Sequence, residues 1–590
     1  MDQDTKSYGD SSPEARRPLY LSRRGLLRRA AVLGVSAPLA ASLLAACGGG
    51  DSTDSGGSGS QSEPTTAPGG SGGTGNATPT TSTDDGGQAT QGGKLVIAVQ
   101  TDPSTLDPHV NSSTFDTLYL HALFDRLIER APDGTLYPGL AETWEVADDG
   151  VTWTLKLRSD VTFHDGTPFN AEAAVYSFER IVNPDTKSEY AVFQLGPYES
   201  SRAIDEFTLE LKMAQPYGAL PVSLATYGIA MVSPDAAEKA GNQFGQNPVG
   251  SGPFKFQEWV PQSHVTLVRN PDYNWASPIH TVSGPAPLEE VTFRVIPEAA
   301  TRAAALQSGE VDMAYITAAD YLLFDEDDNF RTQKILTEGY PPAGLFINTA
   351  KFPTDDVKVR QALEYAVNRH EVNQVVYEGL AEDADSVVST FSWAYDPASA
   401  MYSYDPEKAK ALLDEAGWTE SGGPYRQKDG QDLTIVYLSL TSVKNVAEVV
   451  QAQLKEVGIN AELLVQDNPA QQQSAQSGQH NLVWTQWSGV DPGDLAKVYH
   501  SDNIGDGWNF SHYNNPELDE LFAQGVAVND VEERKKIYTR IVNLLMEDAT
   551  FIPLNNRTTF WAMKKSVQGT DVIDERGSNP RVYDIYIQED

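Results

Sequence analysis

Apolar and polar residues alternate from Val151 to Arg158. Val151, Trp153, Leu155 and Leu157 share one side, and Thr152, Thr154, Lys156 and Arg158 share the other. A period of two predicts a strand with one buried face. Asp148-Asp149-Gly150 precedes it, and Asp-Gly suits the positive φ of a tight hairpin turn, so residues 144–146 are the expected partner strand. Val161 and Phe163 lead to a second turn at His164-Asp165-Gly166. Asn170 can cap a helix whose expected buried face is Val175, Phe178, Ile181 and Val182, because its side-chain oxygen can accept from a free backbone N–H.

The same reading carried along the chain predicts strands alternating with helices. Strands are expected at 94–100, 207–212, 254–259, 265–269, 291–296, 344–349, 433–438, 459–465 and 482–487. Helices are expected at 115–128, 299–308, 357–367, 445–457 and 531–546, and at the starts Tyr404-Asp405-Pro406-Glu407 and Asn515-Pro516, with proline in the first turn. Gly458 is placed to close the 445–457 helix. Tyr340-Pro341-Pro342 before an apolar strand suits a crossing between two lobes, and 551–554 reads as a short returning strand. No fixed short repeat is present, which excludes solenoids.

The first 92 residues break this pattern. Residues 1–46 read as a targeting segment. Ser22-Arg23-Arg24-Gly25-Leu26-Leu27-Arg28 resembles a twin-arginine signal, and an apolar stretch from Ala30 to Ala46 follows it. Leu44-Ala45-Ala46-Cys47 resembles a lipobox, which implies lipidation of Cys47, the sole cysteine of the chain. With one cysteine no intramolecular disulfide and no Cys-based zinc site can form. Residues 48–92 hold small and polar residues with no Lys or Arg, too few apolar groups to offset ordering entropy, and read as a flexible tether. The formal net charge of −39 argues against nucleic acid as a partner, because a phosphate backbone demands a basic patch.

No catalytic or metal-binding spacing is found. There is no GxSxG elbow and no HExxH, and the histidines are scattered, so an enzyme is the minority reading, and no cofactor or metal is expected. His164-Asp165-Gly166 is better read as a turn shaped by its glycine than as a catalytic pair. The glycines of Asn247-Pro248-Val249-Gly250-Ser251-Gly252-Pro253 lack the Lys-Ser/Thr of a phosphate loop. The informative cluster is 482–494, LVWTQWSGVDPGD. Trp484, Gln486, Trp487, Ser488 and Asp491 combine aromatic surface with polar loop groups, the composition of a ligand pocket; core packing is the competing reading for both tryptophans.

Several strings closely resemble the family 5 extracellular solute-binding proteins, the peptide, oligopeptide and nickel receptors of ABC importers. They are LAETWEVADDGVTWTLKLRSDVTFHDGTPF, the opening GGKLVIAVQTDPSTLDP, NPVGSGPFKFQEW, Gly309-Glu310-Val311-Asp312 and VKVRQALEYAVNR. The resemblance covers about residues 92–560. It implies an α/β, bilobal periplasmic-binding-protein-like fold of the class II or cluster C type, with two hinge crossings and a large lobe one. The expected divisions are a signal peptide at 1–46, a lipid-anchored linker at 47–92, lobe one at 93–342, lobe two at 343–550 and a C-terminal return to lobe one at 551–590. It implies a monomeric receptor, anchored to the outer face of the cytoplasmic membrane through Cys47. Such a receptor passes a small solute, an oligopeptide first, to permease and ATPase subunits. An oligosaccharide or metal-complex receptor, a lipid-anchored hydrolase and an envelope scaffold are the alternatives. The resemblance further implies that Ser112, Ser113 and Thr114 form the loop that pairs with an extended ligand, and that Tyr315 is an aromatic at the cleft. In peptide-binding members an aspartate about four residues before the loop proline holds the ligand's amino terminus. That position here is Ser488, and the nearby acid is Asp491, so a free-amino peptide is less favoured.

Overall fold

The computed structural model describes residues 92–588 except 189, 338, 391, 488 and 490. The targeting segment, Cys47, most of the tether and Ser488 therefore lie outside the described residues. No helix among the described residues is long and apolar enough to cross a membrane.

The expected hairpin forms from strands Ala141–Val146 and Thr152–Leu157, with Trp153, Leu155 and Leu157 buried. Gly150 adopts φ +70°, and the Asp149 carboxylate accepts from the Val151 and Thr152 N–H groups, which closes the turn. Strands Thr208–Met213 and Tyr198–Asp205 extend it to a four-stranded antiparallel sheet. Asn170 Oδ1 caps helix Ala171–Val182 by accepting from Ala173 N–H at 3.0 Å. Phe178 and Ile181 are buried as expected, but Val175 is half-buried and Val182 is exposed, so the apolar stripe is narrower than the sequence suggests.

The larger sheet joins twelve strands among the described residues. Its spine is Phe551–Lys564. One end of this strand pairs with Ala343–Ile347, which continues through Leu482–Thr485, Thr434–Leu440 and Asn460–Gln466. The other end pairs with Phe330–Thr337 and Met313–Ile316, and then Lys94–Val99, Glu290–Val295, His264–Arg269 and Phe254–Val260 follow in order. The expected four-residue strand at 551–554 is thus 14 residues long. Two sets of apolar cores sit on either side of the chain crossings near residue 340 and residue 556. One set holds Leu95 to Phe293 with Trp561, Met563 and residues near Tyr583. The other holds Tyr340 to Leu554. This is a bilobal α/β fold.

The helix expected at 115–128 is shorter. A 3-10 turn, Thr114–Asp116, leads into helix Thr117–Leu123, and Phe124 turns to extended backbone before strand Ile128–Arg130. Its end is fixed by the Gly250-Ser251-Gly252 loop. A Cβ on Gly250 would lie 2.1 Å from Leu123 O, and one on Gly252 would lie 2.6 Å from Ala122 O. Gly252 N–H donates to Leu123 O, and the His164 backbone N–H donates to Gly250 O. The glycines therefore serve close backbone packing. Gly250→Ala should lower unfolding free energy by about 1–3 kcal/mol, the usual range for overpacking, read as a shift in the urea midpoint; an unchanged midpoint would show that the loop can retreat.

Candidate functional site

The two lobes meet at the crossings and again far along the chain from them. At the first crossing, Tyr340 is fully buried. Its N–H donates to Trp487 O, the Trp487 N–H donates to Pro341 O, and its hydroxyl donates to Ser392 Oγ at 2.9 Å. At the second, Asn555 Nδ2 donates to Asn373 Oδ1 and Asn556 Nδ2 to Thr390 Oγ1. Arg557 follows, with its guanidinium 5.4 Å from the centre of the Phe115 ring.

Phe115 begins an aromatic row with Tyr315 and Trp561, at centroid distances of 6.3 and 5.6 Å, both edge-to-face. The gap beside this row is only about 20 Å³. Tyr315 is half-buried there. The neighbouring loop is fixed by Asn111, whose Nδ2 donates to Thr105 O and to Asp116 Oδ2 and whose Oδ1 accepts from Ser113 N–H. Burial raises the Asp116 carboxyl to about 6 in spite of the hydrogen bonds it accepts from Asn111 and Ser104. Ser112 is exposed, Ser113 is half-buried, and the Thr114 backbone opens the 3-10 turn.

A cavity of about 370 Å³ lies elsewhere between the lobes. Phe193, Gln194, Tyr217 and Ser223 line it from one lobe, and Asp491, Lys497, Arg534 and Tyr538 are among those from the other. Its charges are arranged in pairs. Asp491 is 6 % exposed and receives two hydrogen bonds from Arg534, at 2.7 and 3.1 Å, while also capping Gly493 N–H. Lys497 Nζ lies 2.6 Å from Asp494 Oδ1. Burial opposes the charge on Arg534, but Asp491 and Tyr538 more than offset it and hold the guanidinium protonated. Burial pushes the Tyr217 hydroxyl up to about 12, and that hydroxyl shares a 3.0 Å hydrogen bond with Ser223 Oγ. An aromatic wall with a few polar groups suits a small organic solute.

The residues singled out in the sequence are thus dispersed. Asp491 lines the 370 Å³ cavity, where its carboxylate is paired with Arg534. Trp484 is 7 % exposed, stands opposite Leu345 in the sheet and belongs to a core; the packing reading holds for it. Gln486 is exposed, just past the end of strand Leu482–Thr485. Trp487 is half-buried and packs edge-to-face on Trp508 at 5.3 Å, beside the first crossing. Tyr315 and Ser113 stand near the other crossing. Arg534 went unnoticed in the sequence, although it falls on the buried stripe of helix Val531–Glu547 with Tyr538, Ile541 and Leu545. A charge on an apolar stripe was the available signal. Phe193, Tyr217 and Lys497 gave none.

Among the described residues no cluster of three or more His, Cys, Asp or Glu could hold a metal ion.

Residues 135–508 match the model of bacterial extracellular solute-binding proteins, family 5 (middle region). Heme-binding protein A of Haemophilus influenzae is 30% identical over 474 residues, covering 76% of this chain and 84% of its own length. The glutathione-binding protein GsiB of Escherichia coli K12 is 30% identical over 496 residues, covering 80% and 92%. Among solved structures, NikA from Brucella suis, in complex with Fe(III)-EDTA, superposes with a TM-score of 0.75 at 25% identity, covering 84% of this chain and all of that one. DppA from Helicobacter pylori, in complex with the peptide STSA, gives 0.70 at 24% identity, covering 85% and 99%.

Proposed function

The chain belongs to the family 5 bacterial extracellular solute-binding proteins, and we propose that it captures a peptide-like solute between its lobes and hands it to the permease of an ABC importer. The observation that carries this is the 370 Å³ cavity whose walls come from both lobes. A solute filling it touches both sides and so binds the closed arrangement better than the open one, which is all that ligand-driven closure requires. Lobe one would comprise residues 93–342 with 551–590, and lobe two 343–550.

Release needs no bond chemistry, and ATP hydrolysis belongs to a separate subunit. Cys47 would carry the lipid that holds the receptor at the outer face of the cytoplasmic membrane. The chain would work as a monomer. Ser112, Ser113, Tyr315 and Trp487, near the crossings, remain proposed contacts, as do Thr114 and Ser488. The Asp491 carboxylate already accepts from Arg534 and Gly493, which favours a peptide whose amino group is held elsewhere or blocked.

Native mass spectrometry of the protein, purified without refolding, tests the reading. The expected result is a non-covalent adduct that disappears on denaturation, with a mass that separates a peptide from a sugar or a metal complex. No adduct, together with no rise in melting temperature across panels of peptides, sugars and metal chelates, would overturn it.

A further inference from the structure

A second set of contacts ties the lobes together at the rim of the 370 Å³ cavity. It involves two short loops and one lysine. Gly218, after strand Thr208–Met213, donates its N–H to Val526 O at 3.0 Å, at the end of helix Pro516–Ala527 in the other lobe. The approach is backbone to backbone. A Cβ on Gly218 would lie 2.0 Å from Val528 O and 3.0 Å from Asn529 Cα. Lys497 Nζ, held by Asp494, also reaches across, lying 3.8 Å from the centre of the Phe193 ring and donating to Gln194 Oε1 at 3.4 Å. The walls of the cavity run between these two points, since Tyr217 adjoins Gly218 and Val526 lines it too.

We infer that Gly218 and Lys497 form a latch that sets the balance between open and closed lobes. Gly218 supplies contact at a distance no side chain allows, and Lys497 adds a cation–aromatic contact of a kind that strengthens as water is excluded. Both contacts exist only when the lobes are together, so their strength enters the closing equilibrium directly and leaves each lobe's own fold untouched. The inference rests on the two-lobed architecture and is independent of which solute is bound.

Pulsed electron resonance on the full-length protein decides it. Spin labels would sit on cysteines placed at the exposed positions Glu145 and Glu532, one per lobe, with Cys47→Ser removing the native thiol. The unsubstituted latch should give a short-distance population. Gly218→Val should lower the ratio of short to long distances about tenfold or more, because an interlobe hydrogen bond and a close packing contact are lost together. Lys497→Met should lower it to a lesser degree. Far-ultraviolet circular dichroism should not change in either variant, which separates a shift in lobe distance from loss of a lobe's own fold. Coinciding distance distributions for all three proteins, whether open or closed, would overturn the latch. A solute-screening failure would bear on the receptor reading and leave this result unchanged.

Discussion

Glu129→Gln should lower the unfolding free energy by about 3–5 kcal/mol, because it removes one partner of a buried charge network and strands the others. Glu129 lies on strand Ile128–Arg130 and is buried. Arg126 Nη2 donates to its Oε1, and Arg581 Nη1 donates to its Oε2. Arg581 also donates to Arg130 O and Ile573 O, and Arg130 to Glu575 O, so the network fastens residues 573–581 onto the first lobe. Burial alone would raise the Glu129 carboxyl, but Arg126 and then Arg581 outweigh it and hold it at about 2, below its ordinary 4.5. The sign follows from linkage: a carboxyl with a depressed folded-state pKa binds fewer protons folded than unfolded. Its contribution is complete above about pH 4.5 and fades as the pH falls toward 2. The gap in stability between wild type and Glu129→Gln should therefore be widest near neutrality and narrow below pH 4.5. Urea denaturation at several pH values measures it, and a gap that stays constant from pH 7 to 3 would show that Glu129 acts through shape alone.

The same network explains where sequence reading stops. The hairpin at residues 141–157 was legible because one face is wet, so the period of two is written in the residue types. The cap at Asn170, the helix start at Pro406 and the positive φ of Gly458 were legible because they are local chemistry. Residues 116–130 are buried throughout, His121, Arg126 and Glu129 included. With no polar face, their pattern could not tell a helix from a helix followed by a strand. Their partners come from residues 574–581, some 450 positions away, beyond any local window. The long strand Phe551–Lys564 was cut short at Leu554 because Asn555, Asn556 and Arg557 look like a loop. At the second crossing, Asn555 and Asn556 hydrogen-bond to Asn373 and Thr390, and Arg557 lies against Phe115. The family resemblance supplied the two-lobed plan. It did not supply the cavity, whose walls at Phe193, Tyr217 and Lys497 carry no local sequence signal.

Asp491→Ala should destabilise the protein by about 3–5 kcal/mol even with no solute present, because it leaves Arg534 as a buried cation without its carboxylate. Arg534 cannot turn to water. Its Nε already donates to Gly525 O, its guanidinium lies 5.3 Å from the Trp393 ring centre and 5.4 Å from that of Tyr538, and its side chain is almost wholly covered. Two roles for Asp491 give opposite results. As a solute anchor, it would be free in the empty receptor, so its loss would leave the unfolding midpoint in place and remove only the rise produced by solute. As a strut, its loss lowers the midpoint first, and the effect on solute follows from the displaced loop at Gly489–Asp494. The double variant Asp491→Ala/Arg534→Met separates the two further. Removing both charges from one buried site is often near neutral, so the double variant should recover most of the stability lost in Asp491→Ala. Recovery of the midpoint together with restored solute binding would establish that the pair shapes the cavity without touching the solute's charge. A midpoint for Asp491→Ala equal to wild type would return Asp491 to the list of groups that meet the solute directly, and with it the case for a free amino terminus.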